Sequence, residues 1–432
     1  MKASKFQIIT LALFVLFLVG GVAAFALYKG STTTTSIPAV TVWGTFPADT
    51  FNVYVSKINA TLAQPITVNY VQKKADSFSQ EFVAALARGT GPDGILIPVD
   101  MLLPHYDKLA LIPFSALPQR TFIDSYIDEA SIYLNANGIT ALPFTVDPLV
   151  MYWNRDTFNS AGIATYPRTW DEFTELNKKL TVKDQNGNVR KSAIALGDFT
   201  NLNNAREILG TLILQVGNPI TAPDTDGVVQ TTLKVSAAAD AAPALNFFAQ
   251  FVDPTNANYS WNRGLPPAKS AFLSGMLATY FGFASELADI RTKNPNLNFD
   301  VAALPQVRTG GTKAAYARLN GFSIVRASPN PNAMFQVMSM LTDPIHLAEL
   351  NKTLYLPTVR RDMIAQGSND PYITIFNQAA LIGKTWLDAD PVASRAIFAS
   401  IIEAITSGQK TTFQAIRDGG DEYDVILKNA VQ

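Results

Sequence analysis

GITALPFTVDPLVMYWNRDTFNSAGIATYPRTWDEFTELNKKL, residues 138–180, is the stretch whose reading decides the architecture. Gly138–Leu142 and Leu149–Trp153 are short runs rich in Ile, Val, Leu and aromatic residues, which predicts two strands. Between them, Pro143-Phe144-Thr145-Val146-Asp147-Pro148 is expected to be extended and turn-prone, because each proline biases the residue before it away from helix. Asn154 to Ala161 reads as one short helix ended by Gly162, a residue suited to the left-handed position beyond a helix. Pro167 then precedes a capping box, with Thr169 at the N-cap and Glu172 three residues on. Trp170, Phe173, Leu176 and Leu180 share one helical face behind it.

Working outward, the segment before this stretch alternates strands and helices. Ala39–Trp43 predicts a strand, Phe51–Leu62 a helix and Ile66–Gln72 a second strand. Phe78, Phe82, Val83 and Leu86 lie on one helical face that ends before Gly89, and Ile95-Leu96-Ile97 is a buried-type strand. That order suits parallel strands, which need crossover helices. Beyond residue 180, Asn201–Val216 and Ala237–Phe251 read as helices, with Asp253–Gly264 as loop. Ala268–Ser274 is a short helix closed by Gly275, followed by a strand over Met276–Phe281 and a helix running to Ile290. Phe299–Leu304 and Asn320–Ile324 read as strands. Pro331–Leu341 is a helix with proline in its first turn. Phe398, Ile401, Ile402 and Ile405 share a face of a late helix that Gly408 stops.

Leu142-Pro143-Phe144, Tyr152-Trp153-Asn154-Arg155-Asp156, Ala161-Gly162-Ile163 and Thr169-Trp170-Asp171-Glu172-Phe173 together resemble the family 1 extracellular solute-binding proteins of ABC importers, the maltose-binding-protein-like group. Gly89-Thr90-Gly91-Pro92-Asp93 matches the same pattern. It departs at Gly94, where an aliphatic residue is usual, so a looser strand entry is expected there. Ala271-Phe272, Gly275, Ala278 and Gly282 are also in register, but the tryptophan usual after that glycine is replaced by Phe283. The resemblance spans Val40 to Leu427. It implies an α/β, two-lobed periplasmic-binding-protein-like fold of type II, each lobe a mainly parallel sheet flanked by helices. Residues 38–146 and 306–343 would form the N-terminal lobe, and residues 147–305 and 344–432 the C-terminal lobe. The chain would cross between them at Pro143–Pro148, at Pro305 and at Thr342-Asp343-Pro344.

Bulk properties narrow the classes. A chain of 432 residues exceeds a single core. With 34 basic and 35 acidic residues its net charge is −1, which gives no footprint for nucleic acid. The absence of cysteine removes disulfides, thiolate chemistry and a lipid-modified cysteine anchor. Lys2 and Lys5 precede Ile8–Tyr28, an uncharged run long enough to span a bilayer. This predicts a membrane anchor over residues 8–28, with residues 1–7 in the cytoplasm and the remainder outside. Ala24-Phe25-Ala26 offers the alternative of a cleaved signal peptide. A Ser/Thr-rich tether over residues 29–37, including Gly30–Ser36, follows. The expected location is the extracytoplasmic face of the membrane.

Neither histidine has metal-ligand spacing: His105 lies in a proline-rich loop and His346 in a helix, and both are expected to be structural or surface residues. No cofactor motif is present. Asp147 with Asp100 offers a carboxylate pair, which keeps a carbohydrate-active hydrolase as the alternative. A solute site is the leading expectation, since hydroxyl-rich ligands need short fixed acceptors and aromatic faces. Trp43 ends the first strand, Thr45 follows it, Asp100 follows the third strand, Asp147 lies in the first crossing and Phe283 follows a later strand. The resemblance implies that Trp43, Asp100 and Asp147 occupy ligand-contacting positions. Trp261, which the resemblance places on a loop bordering the cleft, and Tyr280 and Trp386 complete the candidate set; the competing reading for Trp261 is an exposed loop tryptophan without a role. Trp153 and Trp170 are expected to pack within the scaffold. The resemblance implies a monomeric substrate-binding subunit that takes a small polar solute, a sugar or oligosaccharide first, by hinge closure. Its partner would be an ABC permease with a cytoplasmic ATPase. Peptide or polyamine ligands, or a sensory receptor without transport, are the other readings.

Overall fold

The computed structural model describes residues 37–233 and 240–430. The expected anchor at residues 8–28 and all but Ile37 of the tether lie outside them, as do Ala237–Ala239 of one expected helix. Among the described residues no helix is long and apolar enough to cross a membrane.

The strands used below are β1 (Val40–Gly44), β2 (Val68–Gln72), β3 (Gly94–Pro98), β4 (Leu142–Asn154), β5 (Val189–Ile194), β6 (Leu277–Phe283), β7 (Phe299–Ala302) and β8 (Ala315–Val325). The helices used below are α1 (Ala48–Asn59), α2 (Ala75–Ala87), α3 (Ala205–Gln215), α4 (Pro331–Leu341), α5 (Pro344–Leu354), α6 (Pro371–Leu381), α7 (Pro391–Thr406) and α8 (Thr412–Ala430). The strands belong to one sheet with the order β2-β1-β3-β8-β4-β6-β5, and β7 pairs with β4.

The expectation of two short strands flanking a turn at Pro143–Pro148 is corrected. Leu142–Asn154 is a single strand of 13 residues, every one of them buried. Apolar character on both faces is what a central strand needs. The prolines are tolerated because each sits where a ladder is changing. Pro143 lies beside the register shift at Asn320/Gly321, and Pro148 is the last residue of β4 paired with β8. Pairing with β6 starts at the next residue, Leu149 opposite Phe283. A missing N–H at those points does not interrupt a continuing ladder.

The sheet is also mixed, which corrects the expectation of mainly parallel lobes. Of the pairings among these strands, only β1–β2, β1–β3 and β6–β5 are parallel. The two long strands β4 and β8 run in opposite directions through the middle of the sheet, so they pair antiparallel with each other and with β3, β6 and β7.

Three local readings also change. The strand entry at Gly94 is intact: Gly94 pairs with Val42 on one side and Ile324 on the other. The Met334 Cε methyl lies 2.5 Å from where a Gly94 Cβ would stand. The capping box at Thr169 is replaced by a side-chain pair, in which Thr169 Oγ1 donates to Glu172 Oε1 at 2.9 Å and the helix starts at Glu172. Residues from Pro344 were expected to open the second lobe, yet α5 packs on α1. Lys57 Nζ donates to Glu349 Oε1 at 2.9 Å and to Thr353 Oγ1 at 3.1 Å. The later helix α6 packs against β4 and β7. The helix after Asn154 forms as expected, with the Asn154 side chain accepting from Thr157 N at 2.9 Å and Gly162 at φ 68°.

Candidate functional site

Midway along the sheet, Asp147 of β4 stands directly opposite Arg318 of β8. Side chains alternate along a strand, so Tyr316 shares the face of Arg318. Around these two positions a chain of polar and aromatic contacts runs from one half of the sheet to the other. Asp147 accepts hydrogen bonds from Ser285 N at 3.0 Å and from Ser285 Oγ at 2.6 Å. Arg318 Nη1 lies 3.9 Å from Asp147 Oδ2, and its guanidinium carbon sits 4.1 Å from the centre of the Phe283 ring. Phe283 and Trp386 both meet Tyr316 edge-on, with centroids 6.1 and 5.2 Å away.

Tyr316 then reaches the opposite wall, its hydroxyl donating to Asp100 Oδ2 at 3.2 Å. Asp100 belongs to the turn after β3, and the same carboxylate oxygen accepts from Arg206 Nη1 of α3 at 3.3 Å. Arg206 also donates to Asp388 Oδ2 at 2.6 Å, to Ser394 Oγ at 2.9 Å and to Glu207 Oε1 at 3.1 Å. Its guanidinium carbon stands 4.4 Å from the Trp386 ring centre. Arg206 is 2% exposed and Asp388 fully enclosed, at 0%. Burial raises the acidities' midpoints: the Asp100 carboxyl is pushed up, partly offset by Arg206, and the Asp147 carboxyl is pushed up, partly offset by Arg318 and Ser285.

Of the residues singled out from sequence, the structure thus brings Asp100, Asp147, Phe283 and Trp386 into one cluster. Trp43 and Thr45 stand apart from it, at the end of β1. Trp43 is half-buried beneath Lys73 Nζ, 3.9 Å from the ring centre, and Thr45 N donates to Leu96 O at 3.3 Å. Trp261 was expected on a cleft-bordering loop and is instead a core residue. The loop folds back so that Ser260 N and Trp261 N both donate to Phe251 O, and the indole donates to Asn201 Oδ1 at 2.8 Å. Tyr280 is likewise packed, between Tyr152 and Phe272, its hydroxyl donating to Glu286 Oε2 at 2.9 Å. Trp153 and Trp170 are buried scaffold residues. His105 is buried between Phe78 and Phe82.

Sequence reading missed Arg206, Tyr316, Arg318 and Asp388. A signal existed for Arg206: with Glu207 it supplies the only charges of an otherwise apolar helix. Tyr316 and Arg318 escape that reading because the sequence pattern marks a strand only from Asn320, whereas β8 starts at Ala315. Beside the cluster, a groove of about 640 Å³ separates Ala75, Asp76, Ser79 and Met101 from Ala389, Asp390 and Val392. Its two walls continue directly from Asp100 and Asp388.

Residues 48–345 match the family model of the bacterial extracellular solute-binding proteins. This chain belongs to that family. The solute-binding protein is 23% identical over 375 residues to a Brucella abortus protein named as a binding protein, covering 84% of each chain. A crystal structure of a cyclo/maltodextrin-binding protein complexed with maltotetraose is 17% identical, with a TM-score of 0.71 over 91% of this chain and 97% of that one. The GacH receptor of Streptomyces glaucescens, solved unliganded and with acarbose, is 17% identical, with a TM-score of 0.68 over 90% of this chain and 98% of that one. At these identities the two structures show a shared fold. Family membership makes the chain a binding protein by descent and implies an extracytoplasmic location.

Proposed function

We propose that this solute-binding protein captures a sugar or oligosaccharide in a cleft between two lobes and hands it, unaltered, to an ABC permease. The observation that carries the reading is the cluster at the β4–β8 crossing, which joins carboxylates, guanidinium groups and aromatic rings from both halves of one sheet. Such a set supplies acceptors for hydroxyls and apolar faces for C–H surfaces. The solved structures with maltotetraose and acarbose share the fold. The lobe divide would pass through Asp147 and Arg318. The helix contacts suggest that the last crossing follows α5, between Val359 and Pro371, and not Asp343.

The mechanism is hinge closure about β4 and β8. A solute touching both lobes stabilises the closed state by its greater affinity for it, and the permease reads that state. Asp147 is engaged by Ser285 at both carboxylate oxygens, which suits a fixed acceptor better than a hydrolytic acid or base. Residues 8–28 would hold the protein at the membrane, which intact-mass analysis of the extracted protein would reveal by retention of Met1–Tyr28.

The test is isothermal titration of residues 37–432 with a panel of mono- and oligosaccharides, with product analysis after prolonged incubation. Saturable binding without turnover is the expected result. A panel that leaves both heat and melting temperature unmoved defeats the saccharide reading, and appearance of cleaved product defeats the binding-only reading.

A further inference from the structure

Arg318 differs from the other charged residues of the cluster. Arg206 is satisfied by four side chains, Asp100, Glu207, Asp388 and Ser394. Asp147 is held by Ser285 at both oxygens. The Arg318 guanidinium, by contrast, makes no hydrogen bond among the described residues. Its nearest carboxylate oxygen, Asp147 Oδ2 at 3.9 Å, is beyond hydrogen-bond reach. Its side chain is 43% exposed although it sits at the crossing of two buried strands.

The group is nevertheless seated against a ring. It lies 4.1 Å from the Phe283 ring centre, and its backbone is locked opposite Asp147 in the β4–β8 ladder. A planar fork of five N–H donors is therefore presented at a set place in the sheet with its hydrogen-bonding capacity unspent. The charges that act on it are carboxylates from both walls: Asp147, Asp100 and Glu207. An anionic ligand docking on Arg318 would gain its attraction, yet would meet four carboxylates, Asp147, Asp100, Glu207 and Asp388, against only two guanidinium groups, Arg318 and Arg206. A neutral solute, offering oxygen lone pairs and no charge, would meet only the donors.

We propose that Arg318 is the specificity-determining residue of the cleft. It orients the solute by donating a forked pair of hydrogen bonds to adjacent oxygens of a neutral saccharide, while the surrounding carboxylates reject acidic sugars. This inference rests on the saccharide reading given under Proposed function.

The test is titration of wild type, Arg318→Gln and Arg318→Lys with neutral oligosaccharides and with uronic-acid oligosaccharides of matched length. Wild type is expected to bind a neutral member and to bind its acidic counterpart more weakly. Arg318→Gln is expected to lose about 10- to 100-fold in affinity, the range of a hydrogen bond to a charged group. Arg318→Lys should recover only part of that loss, because an ammonium cannot make the forked contact. The melting temperature of the unliganded variants should stay near that of wild type. Binding by wild type with undiminished affinity in Arg318→Gln overturns the role of Arg318 alone. Full recovery in Arg318→Lys, or a lowered melting temperature of unliganded Arg318→Gln, assigns the residue to packing and overturns it too. Preference for the acidic sugar overturns the selectivity. A wild-type protein that binds no saccharide overturns both this inference and the function on which it rests.

Discussion

Arg206 Nη1 lies 3.3 Å from Asp100 Oδ2, and this contact joins the turn after β3 to α3 across the floor of the proposed cleft. The two partners are not equally dependent on it. Arg206 keeps Asp388, Glu207 and Ser394 if the contact breaks, whereas Asp100 keeps, among the described residues, only the Tyr316 hydroxyl. Asp100 is therefore the partner that separation would return to water.

Asp100→Ala is expected to shift the unliganded protein toward a more open arrangement. Loss of a charge-assisted bond removes about 1–3 kcal/mol of preference for the bridged state. The chain has no cysteine, so two introduced thiols can carry spin labels without interference. Val53 of α1, which packs on β2, and Val182, in a strand paired with β5, are exposed at 51% and 50% and flank opposite ends of the sheet order. The label-to-label distance in Val53→Cys/Val182→Cys should lengthen when Asp100→Ala is added. An identical distance distribution would show that the bridge does not govern opening.

Arg206→Met tests the other end of the same network. It strips the cation from Asp388, which is fully enclosed, and from the Trp386 face. Removing one partner of a buried ion pair costs about 3–5 kcal/mol, because the remaining charge has no water to replace it. Urea unfolding should show that loss in the midpoint. Arg206→Met combined with Asp388→Leu should recover much of it. A double variant no more stable than Arg206→Met would refute the pairing argument.

His105 gives a prediction in pH. Burial, helped by Lys108, lowers its pKa from 6.5 to about 4. The ring packs against Phe78 and Phe82, its Nε2 lies 3.2 Å from Ser79 Oγ, and Nδ1 has no partner. The native state therefore keeps the ring neutral in a range where the unfolded chain takes up a proton. Stability from this residue is complete above the unfolded value of 6.5 and is lost as pH falls toward 4. The loss amounts to about 3 kcal/mol over the window. His105→Phe should lie close to wild type at pH 7 and exceed it at pH 4.5 in denaturant midpoint. Parallel pH profiles for the two proteins would rule this account out.

The element order and half of the polar and aromatic cluster between β4 and β8 were legible because they rest on local signals. Gly162, Asn154 and the proline that starts α4 act within one turn of chain, and each behaves as read. Asp100, Asp147 and Phe283 were found because they end or cross strands. What escaped depends on register and on distant partners. A helix charge such as Arg206 reads as solvent-facing until Asp388, 182 residues away, is seen beside it. Pro143 and Pro148 read as turn formers because sequence does not reveal where β8 hands β4 over to β6. Trp261 reads as exposed because nothing local announces that Phe251 and Asn201 enclose it.

Gly94 shows the same lesson in a form that can be measured. By sequence it loosens the entry to β3; in the fold it is a spacer between β1 and β8. A Cβ there would stand 2.5 Å from Met334 Cε and 3.0 Å from Ser323 O. The methionine end can swing aside, but the Ser323 carbonyl belongs to the β8 backbone and moves only with the ladder. Gly94→Ala should therefore destabilise by about 1–3 kcal/mol, the usual cost of overpacking a filled core. Met334→Ala by itself opens a cavity and also destabilises. In combination the two should cost less than their sum, since the new methyl occupies part of the space that Met334 vacates. Denaturant titration of both single variants and the double variant measures this coupling. Strict additivity would place the strain of Gly94→Ala wholly on the Ser323 backbone.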